Sequence, residues 1–173
     1  PQMKDGWMKH EFSSREALGV QYIVSSLRNN DISCRLINAH AYFLENEEIC
    51  EIILSENIKI VGISCLSQRS YPHTKELIKM LRSQYNYYCI RFIGGFFATL
   101  AYEESFKDIG VLFDFRIRGE GEEVLPKIIQ KLKYNFDIEE IEDILYYKNN
   151  KINGDVNHTH YIENLDSISF PIR

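Results

Sequence analysis

The chain has 173 residues, of which 45% are hydrophobic and 26% charged, and this suits one folded domain with a sizeable core. The formal net charge of -5 disfavours a nucleic acid as partner, because the phosphate backbone is also negative. No stretch reaches the roughly 18 apolar residues of a membrane span. Since no signal peptide opens the chain either, we expect a cytoplasmic protein without membrane contact.

The first part of the chain alternates helical and strand patterns. Ser13 and Glu16 have the spacing of a capping box, and apolar residues follow at helical intervals. The run from 59 to 64 is almost unbroken apolar sequence, which is typical of strands buried on both faces in parallel sheets. The predicted elements are a helix over about 14–29, a strand over 33–38, a helix over about 45–56 and a strand over 59–64.

The second part continues the alternation. Pro72 suits the first turn of a helix, and Gly94-Gly95 ends a strand. An Asn149-Asn150 turn between two apolar stretches predicts a hairpin. The predicted elements are a helix over 72–84, a strand over 88–93, a helix over about 98–107, a strand over 112–118, a helix from 119–122 to about 132, and a hairpin of 144–148 with 151–156.

This order predicts an open parallel α/β sheet with helices on both faces. Such a sheet should begin with a strand, so we expect the first strand upstream of Pro1. The α/β domain is predicted to span 1–143 and the hairpin 144–157, with a linker over 158–173 leading toward another domain.

Ligands of open parallel sheets bind beyond the carboxyl ends of the strands. Small hydroxyls in the segment Ser64, Cys65, Leu66 and Ser67 can contact a ligand or cap the next turn. Gly94 and Gly95 remove two β-carbons at a strand end, either for a ligand or for a tight turn. Carboxylates between Gly119 and Glu122 suit a helix start but would repel phosphate, so no P-loop is present.

Neither cysteines nor histidines form a metal motif. Cys34, Cys50, Cys65 and Cys89 lie far apart in sequence, which excludes a local zinc knuckle or iron–sulfur run and favours free thiols. His10, His40 and His73 are isolated, and a lone histidine is more often a surface or packing residue. We therefore predict no metal ligands and no catalytic residues in this chain.

Several of these segments together resemble the B12-binding domains that precede radical SAM domains. The motifs carrying the resemblance run through the whole chain in the right order. They are Ala17-Leu18-Gly19-Val20-Gln21-Tyr22-Ile23, Val61-Gly62-Ile63-Ser64, Ile93-Gly94-Gly95-Phe96-Phe97-Ala98-Thr99, Arg118-Gly119-Glu120-Gly121-Glu122, and the stretch from Ile162 to Pro171. Pro1-Gln2 is similar to the place where the family's first strand ends.

The resemblance implies a flavodoxin-like fold with cobalamin across the carboxyl edge of the sheet. The implied cofactor-binding residues are Ser64, Cys65, Leu66, Ser67, Gly94, Gly95, Phe96, Thr99, Gly119, Glu120 and Gly121. A radical SAM barrel of the same parent chain would carry the [4Fe-4S] cluster and S-adenosylmethionine. Many relatives are methyltransferases that use methylcobalamin, with the chemistry supplied by the cofactors.

Two departures from the family keep alternatives open. The D-x-H-x-x-G signature is absent, since Asp5-Gly6-Trp7-Met8-Lys9-His10 does not fit it, so we expect no histidine below cobalt. The bulky Phe96-Phe97 pair either narrows or flanks the tail pocket. The alternatives are a degenerate domain that serves as scaffold or interaction module, and a flavodoxin or receiver domain. The strand ends lack the aspartate cluster of receivers, and 1–12 lacks a phosphate loop for FMN.

Overall fold

The computed structural model of the protein describes residues 16–100, 107–134, 141, 144–155 and 159–172. The predictions for 1–15, including the Ser13 cap and His10, lie outside the described residues. The helices are α1 Leu18–Asn29, α2 Ala39–Tyr42, α3 Asn46–Ser55, α4 Tyr71–Ser83, α5 Phe96–Leu100 and α6 Val124–Lys133. The strands are β1 Ile60–Ser64, β2 Ile90–Gly94, β3 Phe115–Ile117, β4 Ile144–Lys148 and β5 Lys151–Asn153, and a 3₁₀ turn covers Leu165–Ser167.

The five strands form one open sheet in the order β1-β2-β3-β4-β5. β1, β2 and β3 run parallel, as the alternating pattern predicts. β4 pairs with β3 in the antiparallel direction, and β5 returns beside β4 through the turn at Asn149-Asn150. The predicted hairpin is therefore confirmed, and it makes the sheet mixed rather than purely parallel. Val156, at its predicted end, lies outside the described residues.

Helices cover both faces of the sheet, as expected. On one face α3, α4 and α5 enclose a core that includes Cys50, Ile78 and Ile93. On the other face α1 and α6 enclose a second core around Phe115 and Ile128. Each core forms because β1, β2 and β3 alternate their side chains between the two layers. The carboxyl ends of the three parallel strands meet at one edge.

Most element boundaries agree with the patterns in the sequence. Pro72 lies in the first turn of α4, where its missing N–H has no intrahelical partner to lose. Glu45 and Glu48 form a reciprocal capping box at the start of α3. α1 begins at Leu18 after Ala17, later than expected. α5 begins at Phe96 rather than 98, because Gly95 closes the turn directly after β2; its predicted continuation over 101–106 lies outside the described residues.

Two strand predictions were wrong in whole or in part. Residues 33–38 form no strand, since a strand needs a paired neighbour and every described strand pairs elsewhere. Instead Ile32 and Cys34 pack against the core beside α1. The strand predicted over 112–118 is restricted to β3, because Leu112 and Phe113 lie in a buried turn closed by hydrogen bonds from their N–H groups to Asp108 O, at 2.8 and 3.2 Å. Because this turn is buried, its residues are apolar, and the apolar run was mistaken for the start of a strand.

Candidate ligand site at the carboxyl edge of the sheet

The loop after β1 has exposed side chains and contains a turn that is closed by hydrogen bonds between its own residues. Ser64 and Ser67 are exposed, and the side chain of Leu66 is 68% exposed. Ser67 Oγ accepts a hydrogen bond from Ser70 N, and Ser70 Oγ donates to Ser67 O, at 3.3 and 2.8 Å. The hydroxyl of Ser67 thus caps the turn that leads into α4. Ser64 and Leu66 present their side chains to the outside of the edge.

Cys65 has a different position from its neighbours. Its side chain is buried, with Sγ 3.5 Å from Ser67 O and 3.4 Å from Ser70 Oγ. Its backbone joins the loop to the glycine pair, because Cys65 N donates to Gly94 O at 2.9 Å and Cys65 O accepts from Phe97 N at 3.0 Å. The thiol faces the core, so any contact of Cys65 with a ligand is left to its backbone.

The two glycines after β2 have separate roles. Gly95 takes a positive φ of 88°, and a β-carbon there would lie 2.9 Å from both Cys65 O and Ser64 Oγ. It is required by the turn. A β-carbon at Gly94 would have its nearest neighbour, Ile117 Cβ, at 4.0 Å. Gly94 therefore leaves open space above the end of the strand, which is the kind of space a ligand can use.

The Phe96-Phe97 pair flanks this space rather than filling it. Phe97 is buried against Tyr71, with ring centroids 4.8 Å apart. Phe96 points outward and is 66% exposed. Together with Leu66 it gives the edge two exposed apolar side chains, which suit contact with a bulky, partly apolar group.

Thr99 connects the glycine pair to the loop after β3. Its Oγ1 donates to Gly95 O at 3.1 Å and accepts from Gly119 N at 3.0 Å. The hydrogen bonds therefore run without a break from the loop after β1, through Cys65 and Gly95, to the turn at Gly119. Three of the predicted loops form one connected edge.

The Gly119–Gly121 turn contacts the carboxyl-terminal segment of the chain. Gly119 forms an isolated parallel bridge with His160. The carboxylate of Glu120 accepts a hydrogen bond from Ile162 N at 2.5 Å. Gly121 is buried, and a β-carbon there would meet Ile23 of α1 at 3.5 Å. These predicted site residues are thus engaged mainly by the protein itself.

The surroundings of the turn also perturb the pKa of Glu122. Burial, with a smaller contribution from the Glu120 carboxylate, raises the pKa of Glu122, while backbone N–H groups and His160 oppose the rise. His160 Nε2 also lies 3.3 Å from Glu123 Oε2. The turn therefore holds acidic groups that resist adding another negative charge, which agrees with the absence of a phosphate-loop motif.

A shallow groove of about 460 Å³ borders this edge at Glu122 and Glu123. It runs between α1, α6 and the segment 167–169, and its lining includes Asn29 and Gln130. None of the predicted site residues lines it, so we place the candidate site on the open edge and not in this groove. Among the described residues there is no group of three or more possible metal-ligating side chains, and no helix long and apolar enough to span a membrane.

Sequence reasoning missed two parts of this arrangement. Ser70 could have been found from its spacing to Ser67, which is that of a side-chain-closed turn. His160 and Ile162 carry no local signal, because their role depends on a return of the chain across about 40 residues to the Glu120 turn.

The fold and the edge define the class of protein. An open α/β sheet, mostly parallel, with glycine turns and exposed apolar side chains at its carboxyl edge, is typical of flavodoxin-like domains, whose ligands bind at that edge. Residues 15–129 match the family model described as the B12 binding domain. The chain belongs to this family, and the suspected membership is confirmed.

Solved structures support the same fold. The chain is similar to the cobalamin-dependent S-adenosylmethionine radical enzyme OxsB with aqua-cobalamin bound, at a TM-score of 0.78 and 18% identity over 95% of this chain and 22% of that one. It is also similar to the radical S-adenosylmethionine methyltransferase TsrM from Kitasatospora setae, at a TM-score of 0.66 and 12% identity over 80% of this chain and 27% of that one. The chain spans about a fifth to a quarter of these enzymes. A search of curated proteins finds no match.

Proposed function

We propose that this domain binds cobalamin at the carboxyl edge of its sheet and holds it for a radical SAM domain of the same parent protein. The observation that carries the proposal is the connected edge itself, in which open space at Gly94 lies between exposed Ser64 and exposed Phe96. Membership in the B12-binding domain family supports cobalamin as the ligand. When bound, cobalamin would supply a cobalt centre able to carry a methyl group.

The residues of the chain would bind, orient and shield the cofactor. Gly94 leaves room for the nucleotide tail to approach the backbone, and Ser64 offers a hydroxyl to it. Leu66 and Phe96 would cover apolar surface and exclude water. Ser67, Thr99 and the backbone of Cys65 hold the loops in place through the hydrogen bonds described above.

The solved structures that this chain resembles are radical SAM enzymes, and they support a finer proposal. We propose that the parent protein is a methyltransferase that uses methylcobalamin and S-adenosylmethionine, with its [4Fe-4S] cluster in the neighbouring domain. TsrM, which is a methyltransferase, supports this choice.

The test is a visible absorption spectrum of the full-length protein after reconstitution with hydroxocobalamin and desalting. We expect about one corrinoid per chain. Gly94→Phe should reduce the affinity on the order of tenfold or more, because the ring fills the open space, whereas Gly94→Ala should bind nearly as the wild type. Unchanged melting temperatures would show that both variants fold.

A wild-type protein that retains no corrinoid after desalting would contradict the proposal. The domain would then be a scaffold for the neighbouring domain. That alternative has some structural support, since Gly119, Glu120 and Gly121 are already engaged by contacts within the chain.

A further inference from the structure

The segment 160–162 is bound by three hydrogen bonds, two to the Gly119–Gly121 turn and one to Arg118 directly before it. Glu120 N donates to His160 O at 2.9 Å, and His160 N donates to Arg118 O at 3.3 Å. The Glu120 carboxylate accepts from Ile162 N at 2.5 Å, the shortest of the three. The two pieces of chain are thus joined through both backbone and side chain.

The turn is shaped to accept this segment. Gly119 has a positive φ of 80°, and a β-carbon there would lie 1.9 Å from His160 O. That contact is with backbone, which has no rotamer to move away. Only glycine allows His160 to approach this closely.

The segment is held at further points along its length. Ile162 is buried, with 8% of its surface exposed. Farther along, Ser25 Oγ in α1 donates to Phe170 O at 2.7 Å. The stretch from His160 to Phe170 therefore lies on the domain.

The same turn is also part of the ligand edge. Gly119 N donates to Thr99 Oγ1, which in turn donates to Gly95 O. Moving Gly119 would break the hydrogen bond that fixes Thr99 and, through it, the glycine pair. The conformation of the edge and the docking of segment 160–162 are therefore not independent.

We propose that residues 160–162 form a strap that positions the Gly119–Gly121 turn, and that Glu120 is its anchor rather than a direct contact of the cofactor. The inference rests on the proposed cobalamin function and deepens it. Cobalamin affinity then depends on a segment 40 residues distant in sequence from the turn, and Glu120 and Gly119 are positioning residues.

The experiment uses the full-length protein with hydroxocobalamin as the probe. Glu120→Ala removes the acceptor of the Ile162 N–H, whereas Glu120→Gln keeps a side-chain oxygen that can accept it. Glu163→Ala removes an exposed carboxylate beside the strap and serves as the matched control. Cobalamin affinity and hydrogen exchange of amides 119–121 and 160–162 are measured on each variant.

We expect Glu120→Ala to weaken hydroxocobalamin binding about tenfold and to accelerate exchange at Ile162, since a tenfold loss matches one lost charge-assisted hydrogen bond. Glu120→Gln should keep most of the hydroxocobalamin affinity and most of the protection of the Ile162 amide. Glu163→Ala should change neither the affinity nor the exchange rate. Gly119→Ala should also weaken hydroxocobalamin binding and accelerate exchange at Ile162. If Gly119→Ala does not fold, the comparison of Glu120→Ala with Glu120→Gln still tests the proposal.

Faster exchange without weaker binding would overturn the inference, because the strap would then be structural only. Weaker binding with unchanged exchange in cofactor-free protein would also overturn it, because Glu120 would then contact the cofactor itself. Both results differ from failure of the proposed function, in which the wild type already retains no corrinoid.

Discussion

Gly95 and its neighbour Gly94 look alike in the sequence, but the structure makes opposite demands on them. The positive φ of Gly95 costs a residue with a side chain roughly 1–2 kcal/mol, and crowding against Cys65 O adds to this. We predict that Gly95→Ala lowers the free energy of unfolding by about 2 kcal/mol or more. Gly94→Ala should leave it within about 0.5 kcal/mol of the wild type. Denaturant unfolding measures both, and equal effects at the two positions would contradict the assignment.

Glu122 provides a pH-dependent test at the same scale. Burial raises its pKa above the ordinary value of 4.5, so the folded state binds the proton more tightly than the unfolded state. Its contribution to stability is therefore fully present below pH 4.5 and is lost as the pH rises through the folded-state pKa. Glutamine at this position does not ionise, so Glu122→Gln should not lose this stability. The free energy of unfolding of Glu122→Gln should therefore increasingly exceed that of the wild type as the pH rises above 4.5.

The measurement is denaturant unfolding of both proteins across that pH range. Glu163→Gln, at an exposed carboxylate, is the control. A stability difference between wild type and Glu122→Gln that is the same at every pH would contradict burial as the cause.

Single residues also show where sequence reasoning about the site ends. Gly94, Leu66 and Phe96 were named from the sequence, and the structure places all three at the edge. The sequence did not indicate that the thiol of Cys65 points inward or that Glu120 turns toward Ile162. Both depend on tertiary contacts, which the local pattern does not encode.

At the scale of elements, the absence of a side chain at Gly62 in β1 makes room for the ring of Phe92 in β2. A β-carbon at Gly62 would lie 2.1 Å from Phe92 Cζ, because this ring crosses over β1. Phe92 has little freedom to move, since it stacks on Phe115 with centroids 5.0 Å apart. We predict that Gly62→Ala lowers the free energy of unfolding by about 1–3 kcal/mol through overpacking.

Gly19, in the first turn of α1, is the matched control. A β-carbon there meets nothing within 4 Å. Gly19→Ala should be neutral or stabilise the protein by up to about 1 kcal/mol, because alanine is the better helix former. Thermal or chemical unfolding compares Gly62→Ala with Gly19→Ala. If Gly19→Ala destabilises the protein as much as Gly62→Ala, overpacking against Phe92 is not the cause of the loss.

Elements with a strong period were predictable, and those defined by their partners were not. α3 was predicted from its apolar spacing and α4 from Pro72 at its start, and the structure contains both helices. The strand predicted over 33–38 failed because no described strand pairs with it; Cys34 packs instead against the core that α1 and α6 enclose. Sequence patterns report burial, whereas pairing requires a second piece of chain.

At the scale of the whole molecule, the alternation of elements sufficed to predict an α/β sheet with two covered faces. The mixed direction of the sheet follows from the hairpin at Asn149-Asn150, which the turn residues indicated. The connection between 160–162 and the Glu120 turn was not predictable, because it joins distant parts of the chain. The path of the chain after the hairpin therefore had to come from the structure.

The hairpin also determines how the molecule behaves toward its own copies. Among the described strands β5 lies at an edge of the sheet, and its three residues begin at an exposed lysine, Lys151. A second exposed lysine, Lys148, lies directly opposite on β4. A short edge is a poor template for strand addition, since an incoming strand would gain few hydrogen bonds, and a lysine at the edge disfavours pairing further. The hairpin thus protects this side of the sheet against aggregation by edge-to-edge pairing.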